Sequence, residues 1–195
     1  MIACVIGNGP SRLNLNLETI GRQMTTYGCN ALYRDYIPNY LISMDHSMVK
    51  EILSKKVHYE TTFYTQHENS VDSLASNGQP IYFFTGFTET NDSGNSALRL
   101  ACMHDNETIY MIGFDYNDGG SQLPNVYRGT QNYTSSHVFP AASMQTTKWR
   151  QRLHKILKEY PNKNIVRVNG NNKKFDMQYS NYSEITIEQF KEIYE

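Results

Sequence analysis

An apolar run that ends in glycines, IACVIGNGPS, stands at residues 2–11. Five consecutive apolar residues followed by Gly7, Asn8 and Gly9 are typical of a buried strand that stops at a turn. A strand that leads into a glycine-rich turn opens many α/β domains, because such a turn lets the backbone approach an anionic ligand closely. The stretch therefore predicts an α/β fold whose first turn belongs to a ligand site.

Strand and helix patterns alternate along the rest of the chain. The apolar stretch at 108–113 predicts the clearest buried strand, and apolar residues at helical spacing over 144–160 predict the clearest helix. This alternation indicates a single domain over 1–195, Rossmann-like, with a doubly wound and mostly parallel sheet. Further strands are predicted at 26–30, 39–44, 60–65, 80–85 and 164–168, and further helices at 16–24, 46–55, 94–104 and 184–194.

The composition excludes several classes of protein. The chain of 195 residues carries 18 Lys and Arg against 19 Asp and Glu, so its net charge of -1 makes nucleic acid an unlikely partner. No apolar run approaches the ~20 residues of a membrane span, and we expect a cytoplasmic protein. The mean hydropathy is -0.60 although only 19% of residues are charged. Polarity therefore comes from Asn, Ser, Thr and 15 Tyr, which are hydrogen-bonding groups.

Three cysteines, Cys4, Cys29 and Cys102, show neither CxxC nor Cys/His spacing. An odd number of cysteines without either spacing argues against a disulfide framework and against a zinc site. The chain also has no D-x-D dipeptide, and Asp115 with Asp118 only loosely approximates a pair of cation ligands. We therefore expect no metal and no resident cofactor.

Polar residues follow several predicted strands or open a helix. Taken singly, each is a common turn or N-cap residue, but the carboxyl ends of parallel strands meet at one edge of a sheet. The first turn lacks the third glycine of G-x-G-x-x-G and the G-K-[ST] of a Walker loop, which argues against nicotinamide dehydrogenases and P-loop NTPases. The features predicted to meet are Gly7 to Ser11, Cys29-Asn30, Asp45 and the 92–95 segment.

Four stretches of the chain resemble motifs of the bacterial lipooligosaccharide sialyltransferases. The matching motifs are V-I-G-N-G-P-S at 5–11, Cys29-Asn30, Ser93-Gly94 at the start of an apolar helix, and I-Y-M-I-G-F-D-Y at 109–116. The resemblance implies a compact domain similar to glycosyltransferase type A. It also implies a CMP-linked sugar donor, a glycan or other hydroxyl acceptor, inversion without a metal, and a histidine base.

The resemblance also implies roles for single residues. Asn8, Ser11 and Asn30 match positions that contact the nucleotide, and Ser93 with Gly94 matches the Ser-Gly that approaches the donor. Two tyrosines that hold the leaving phosphate and one histidine complete the family's site. Tyr127, Tyr133 and His137 occupy the matching places. Gly7, Gly9 and Asp115 belong to the same predicted binding site, and residues 114–140, which lack periodicity, are predicted to form a lid loop.

Asp45 leaves an alternative open. The sialyltransferases have an asparagine at this position, whereas the hydroxymethylpterin pyrophosphokinase-like proteins have an aspartate, as this chain does. The G-P-S start and the I-G-x-D segment of this chain also resemble those proteins and the motility accessory factors. At position 45 a carboxylate would bind ribose hydroxyls or a metal. A Mg²⁺-dependent pyrophosphokinase-like phosphotransferase is therefore the second reading, and a non-catalytic nucleotide- or glycan-binding module is the third. His46 competes with His137 as the base, and homo-oligomerisation stays open.

Overall fold

A computed structural model describes residues 1–66, 81–83, 92–116, 124–133, 142–170, 174–175 and 177–195, with the backbone alone at 142–146. Eight strands form one sheet in the order β5-β4-β3-β2-β1-β6-β7-β8, and every described pair is parallel. The predicted Rossmann-like α/β fold is confirmed. The strands are β1 (Ile2–Ile6), β2 (Thr25–Cys29), β3 (Tyr40–Ser43), β4 (Thr62–Thr65), β5 (Ile81–Phe83), β6 (Thr108–Ile112), β7 (Asn164–Asn169) and β8 (Tyr182–Thr186).

Helices cover both faces of the sheet. Strand residues alternate between the faces, so β1 sends Ala3 and Val5 to one core and Cys4 and Ile6 to the other. The first core packs against α3 and α4, whereas α1 and α5 cover the second core and α2 extends that layer over β3 and β4. The described helices are α1 (Leu17–Gln23), α2 (His46–Ser54), α3 (Ser93–Met103), α4 (Ala142–Glu159) and α5 (Ile187–Tyr194).

The end of the chain differs from the prediction. The helix predicted over 184–194 begins only at Ile187, because Tyr182–Thr186 forms the edge strand β8 beside β7. A buried ion pair between Arg167 and Glu184, with 3.1 Å between Nη1 and Oε2, fastens this strand. Thr186 then caps α5 with Gln189 in a capping box. The prediction was wrong at 184–186 because five residues are too few to establish a strand period.

The strand order reverses between β1 and β6. In open α/β sheets such a switch point leaves a crevice beyond the carboxyl ends of the strands. Gly7 follows β1 and Gly113 follows β6, so the predicted glycine turn stands at this crevice. Within the described part of the chain, no helix is both long enough and apolar enough to cross a membrane.

Candidate active site

A cavity of about 440 Å³ lies at the switch point of the sheet. The turns after β1, β2, β3 and β6 and the N-terminus of α3 form its walls, together with residues 124–133. Nine of the twelve predicted site residues line this cavity. They lie together because the carboxyl ends of parallel strands meet at the same edge of the sheet. They are Gly7, Asn8, Gly9, Asn30, Asp45, Ser93, Gly94, Asp115 and Tyr133.

The two turns that meet at the switch point have no room for side chains. Gly113 has a φ of +69°, and a Cβ there would lie 2.7 Å from the carbonyl oxygen of Gly7. The N–H of Gly7 donates to Ile112 (2.8 Å), and the N–H of Gly9 donates to Gly113 (2.9 Å). Both amides are therefore already hydrogen-bonded, and Nδ2 of Asn8, which lines the cavity between them, donates to the Cys29 carbonyl at 3.1 Å.

Asp115 is held against the first turn. Its Oδ2 accepts a hydrogen bond from the Ser11 backbone N–H at 2.8 Å, and a Cβ on Gly9 would lie 2.5 Å from the same oxygen. The Ser11 side chain does not line the cavity, and its buried hydroxyl has no hydrogen-bond partner among the described residues. Ser11 thus acts on the site indirectly, because its backbone N–H fixes the Asp115 carboxylate.

A hydrogen-bond network fixes the side-chain amide of Asn30. Its Oδ1 accepts from the hydroxyls of Ser43 (2.9 Å) and Ser93 (2.7 Å), and its Nδ2 donates to Oδ2 of Asp45 (2.8 Å). The Ser93 hydroxyl accepts from the backbone N–H of Met44 at 2.9 Å, so its own proton is directed to Asn30. The amide therefore directs its NH₂ group towards Asp45 and its oxygen towards the two serine hydroxyls.

Asp92 caps the N-terminus of α3 and ties it to α4. One carboxylate oxygen accepts from the N–H of Asn95 at 2.7 Å, and the other accepts from Nη1 of Arg152 at 2.6 Å. The side chains of Asp92 and Arg152 are 14% and 18% exposed, so this ion pair is partly desolvated. Nδ2 of Asn95 also donates to the carbonyl of Trp149 (3.3 Å). These contacts fix the position of Asn95 relative to Trp149, and both residues line the cavity.

Residues 124–133, which we call the cavity wall, close the site opposite α3. The wall is bound to the first turn through the N–H of Val126, which donates to the Asn8 carbonyl at 2.9 Å. Arg128, Asn132 and Tyr133 of the wall line the cavity. Burial raises the pKa of the Tyr133 hydroxyl, so it stays protonated and able to donate.

Tyr127 is placed differently from Tyr133. It is buried and does not line the cavity, and its hydroxyl donates to Oδ2 of Asp35 (2.7 Å) while accepting from Nη2 of Arg12 (2.7 Å). Arg12 is itself ion-paired with Asp35 at 2.6 Å. The predicted phosphate contact would need this hydroxyl, which the Arg12–Asp35 pair already occupies in the described structure.

The predicted base lies outside the described residues. His137 belongs to 134–141, and the predicted lid is described only at 114–116 and in the cavity wall. The competing histidine, His46, is an exposed first residue of α2 and is not among the residues that line the cavity. The roles of His137 and of a lid therefore stay predictions.

The cavity is also lined by residues that were not predicted to belong to the site. Tyr116 has a φ of +34° and is 4% exposed. Within the described part of the chain its buried hydroxyl has no hydrogen-bond partner, and burial raises its pKa. Trp149 lies beside it, with 6.2 Å between the ring centroids. Arg128 brings a cation to the cavity. Tyr116 ends the 109–116 motif, which could have drawn attention to it, whereas no pattern marks Arg128.

The acidic residues of the cavity decide whether it could hold a metal ion. Asp45 and Asp115 both line it, whereas Asp92 is neutralised by Arg152. Among the described residues, no group of three or more His, Cys, Asp or Glu side chains is placed to hold a metal ion. Two carboxylates are fewer protein ligands than a structural site needs, but Mg²⁺ is often bound through one or two carboxylates and substrate phosphates.

The chain has a Rossmann-like α/β fold that it shares with two solved structures. A solved structure titled as the sialyltransferase CST-II with a trisaccharide acceptor and CMP matches with a TM-score of 0.56 and 12% identity, over 93% of each chain. A mutant of the alpha-2,3/8-sialyltransferase CstII matches with a TM-score of 0.55 and 13% identity, over 99% of this chain and 100% of that one. No family model and no curated protein matches the sequence.

Proposed function

We propose that the protein is a glycosyltransferase that moves a sugar from a nucleotide donor to a hydroxyl acceptor. The main support for this proposal is the cavity at the β1/β6 switch point, which is lined by Asn8, Asn30, Ser93 and Tyr133. The fold that contains it is shared with the CstII sialyltransferases. Most of these groups are neutral hydrogen-bonding side chains, which suits the many oxygens of a nucleotide sugar. The neighbour whose title names CMP and a trisaccharide acceptor makes a CMP-linked sugar and a glycan the first ligands to test.

We assign the leaving phosphate to the cavity wall, where Arg128 and Tyr133 line the cavity. Hydroxyls kept protonated by burial donate hydrogen bonds to developing negative charge, and a guanidinium adds a charge-assisted bond. Asn30 and Ser93, already oriented by their own network, face the donor from the strand ends. Asp45 takes a hydroxyl of the ribose, or it contributes to a metal site in the alternative function.

The proposed chemistry is a single displacement with inversion. The acceptor oxygen attacks the anomeric carbon while its proton passes to His137, and the bond from that carbon to the phosphate oxygen breaks with its electron pair. The nucleotide then leaves with the negative charge on phosphate. A histidine with a pKa near ~6.5 is matched to this step, and general base catalysis contributes on the order of 10²–10⁴-fold.

Sugar transfer and donor hydrolysis from CMP-N-acetylneuraminic acid test this proposal. The assay compares wild type with His137→Ala and His46→Ala, each with and without EDTA, after unfolding temperatures have shown that both variants fold. We expect His137→Ala to lose at least about 100-fold in kcat. His46→Ala and EDTA should have little effect. Unchanged turnover in His137→Ala would remove this histidine from the base role.

A separate binding experiment distinguishes the second candidate function from the first. Asp45 and Asp115 line one cavity, as a Mg²⁺-dependent phosphotransferase would use them. Thermal-shift titration with CMP, UDP, GDP and ATP, with and without Mg²⁺, shows which nucleotide binds. Binding of ATP that requires Mg²⁺ would support the phosphotransferase and contradict the glycosyltransferase, and nucleotide binding without turnover of any sugar donor would indicate a binding module.

A further inference from the structure

A buried carboxylate lies behind the cavity, outside the set of residues that line it. Glu51 of α2 has a side chain only 1% exposed. Arg34 donates to its Oε1 from Nε (3.0 Å) and Nη2 (2.6 Å), and from Nη2 to its Oε2 (2.8 Å). Tyr33 and Lys55 also donate to it. Burial opposes ionisation of Glu51, but these hydrogen bonds outweigh it and lower the pKa of the carboxyl to about 2.

This ion pair extends directly into the cavity wall. Nη1 of Arg34 donates to Oγ1 of Thr130 at 2.7 Å, and its Nη2 donates to the carbonyl of Gln131 at 2.9 Å. From the other side, Nδ2 of Asn132 donates to Oε2 of Glu51 at 2.5 Å. Three consecutive wall residues are thus bound to one charge pair that is anchored on α2 and on the turn after β2.

The wall has little regular structure to hold it in place. Apart from the bond of the Val126 N–H to the Asn8 carbonyl, its described backbone bonds lie within the wall itself, such as Thr130 N–H to Tyr127 O (3.0 Å) and Tyr133 N–H to Thr130 O (2.9 Å). Turn segments without a helix or a sheet ladder open at low free-energy cost unless side chains fix them. Since Arg128, Asn132 and Tyr133 face the cavity, the position of the wall decides whether those side chains can meet a ligand.

We propose that Arg34 and Glu51 are positioning residues that hold the cavity wall in its ligand-competent place before any donor binds. The inference rests on the proposed function, because it assigns the wall to the donor site. Neither residue lines the cavity, so the pair acts through Arg128, Asn132 and Tyr133. Loosening the wall lowers the fraction of molecules that can bind, and the apparent Kd rises by the reciprocal of that fraction.

Two variants test this role without abolishing the fold. Arg34→Lys keeps the charge but removes the planar fork that reaches Glu51 and Thr130 together. Thr130→Val removes the hydroxyl that accepts from Arg34, together with its own bond to the Tyr127 carbonyl, at an exposed position that does not line the cavity. Arg99→Lys is the matched control, because Arg99 pairs with Glu159 on the outside of α3 and α4, away from the wall.

Two readouts are needed. Hydrogen exchange of the Thr130 and Tyr133 amides reports on the wall without any substrate, and we expect it to become about tenfold faster in Arg34→Lys. Calorimetric titration with CMP and steady-state assays should show Kd and KM raised about tenfold with kcat within about threefold, because the bound state has the wall in place. Thr130→Val should show a smaller change in the same direction, and Arg99→Lys none.

The possible failures are distinguishable. If exchange accelerates but Kd and KM stay as in wild type, the pair stabilises the fold without positioning the wall for binding, and the inference is overturned. A fall in kcat with unchanged KM would overturn it as well. If wild type binds none of the nucleotides CMP, UDP, GDP and ATP, the proposed function fails. Unchanged amide exchange in Arg34→Lys would overturn the positioning role independently of any ligand.

Discussion

Arg152 donates from Nη1 to Oδ2 of Asp92 across 2.6 Å, and this contact joins the two helices that pack on one face of the sheet. Asp92 precedes α3, whose N-terminus faces the cavity, and Arg152 belongs to α4, which begins just after the segment that contains His137. The ion pair therefore sets the distance between the predicted donor-contacting Ser93 and the helix that follows the predicted base.

Asp92→Asn is expected to separate capping from ion pairing. Asparagine is as good an N-cap as aspartate, so the bond to the Asn95 amide is kept. Arg152 loses its partly buried partner, and we expect about 1–3 kcal/mol of destabilisation in urea unfolding, less than for a fully buried pair. Arg99→Gln, which breaks the more exposed pair with Glu159, should cost less than about 1 kcal/mol. Equal costs for both variants would contradict a special role of Asp92.

The close contact between Gly7 and Gly113 can be tested with two alanine variants. Gly113 and Gly129 both have positive φ values, +69° and +82°, so each substitution brings backbone strain of about 1–2 kcal/mol. At Gly113 the added Cβ also meets the Gly7 carbonyl oxygen at 2.7 Å, whereas nothing lies within 4 Å at Gly129. Gly113→Ala should therefore be clearly less stable than Gly129→Ala and should weaken nucleotide binding. Equal unfolding free energies would show that the two turns can separate at little cost.

Part of this arrangement could be predicted from sequence. The apolar run before Gly7 and the motif at 109–116 located the central strands β1 and β6, because buried parallel strands are continuous apolar runs. The different positions of Tyr127 and Tyr133 could not be predicted. Tyr127 is bonded to Arg12 and Asp35, which are 115 and 92 positions distant along the chain, so only the folded chain distinguishes the two tyrosines.

Those two tyrosines should respond in opposite ways to loss of the hydroxyl. Tyr127→Phe leaves Arg12 and Asp35 without a shared buried partner, and we expect about 1–3 kcal/mol of destabilisation. Tyr133→Phe should leave urea unfolding within about 1 kcal/mol of wild type but raise the Kd for CMP by about tenfold, since Tyr133 lines the cavity in which we place the donor. The opposite pattern would return Tyr127 to the phosphate role predicted from sequence.

Stability should fall when the solution becomes mildly acidic. Tyr27 and Nδ1 of His104 lie 2.7 Å apart, and Asn106 donates to the Tyr27 oxygen, so the tyrosine proton is directed to the histidine. Burial lowers the pKa of His104 in the folded state. Its contribution to stability is therefore present above the unfolded pKa of ~6.5 and is lost as the pH falls below it.

His104→Asn, which keeps an acceptor near the Nδ1 position, should reduce the loss of stability between pH 7.5 and 5.5. A slope remains, since burial also lowers the pKa of His58. NMR titration of the His104 ring should give a pKa below that of a histidine in an unfolded peptide. His46→Asn at an exposed position is the control and should keep the wild-type slope. A slope unchanged in His104→Asn would assign the acid sensitivity elsewhere.

Arg128 should account for much of the salt dependence of nucleotide binding. It is an exposed guanidinium on the cavity wall, placed where the donor phosphate is assigned. Arg128→Gln removes a charge-assisted hydrogen bond, so we expect the Kd for CMP at low salt to rise by about tenfold. Salt screens the charge in wild type but has little left to screen in the variant, so the two Kd values should converge as NaCl increases. Arg22→Gln on α1, outside the cavity, is the control and should show the wild-type dependence of Kd on NaCl. If Kd depends on NaCl equally in Arg128→Gln and in wild type, the phosphate does not bind at the wall.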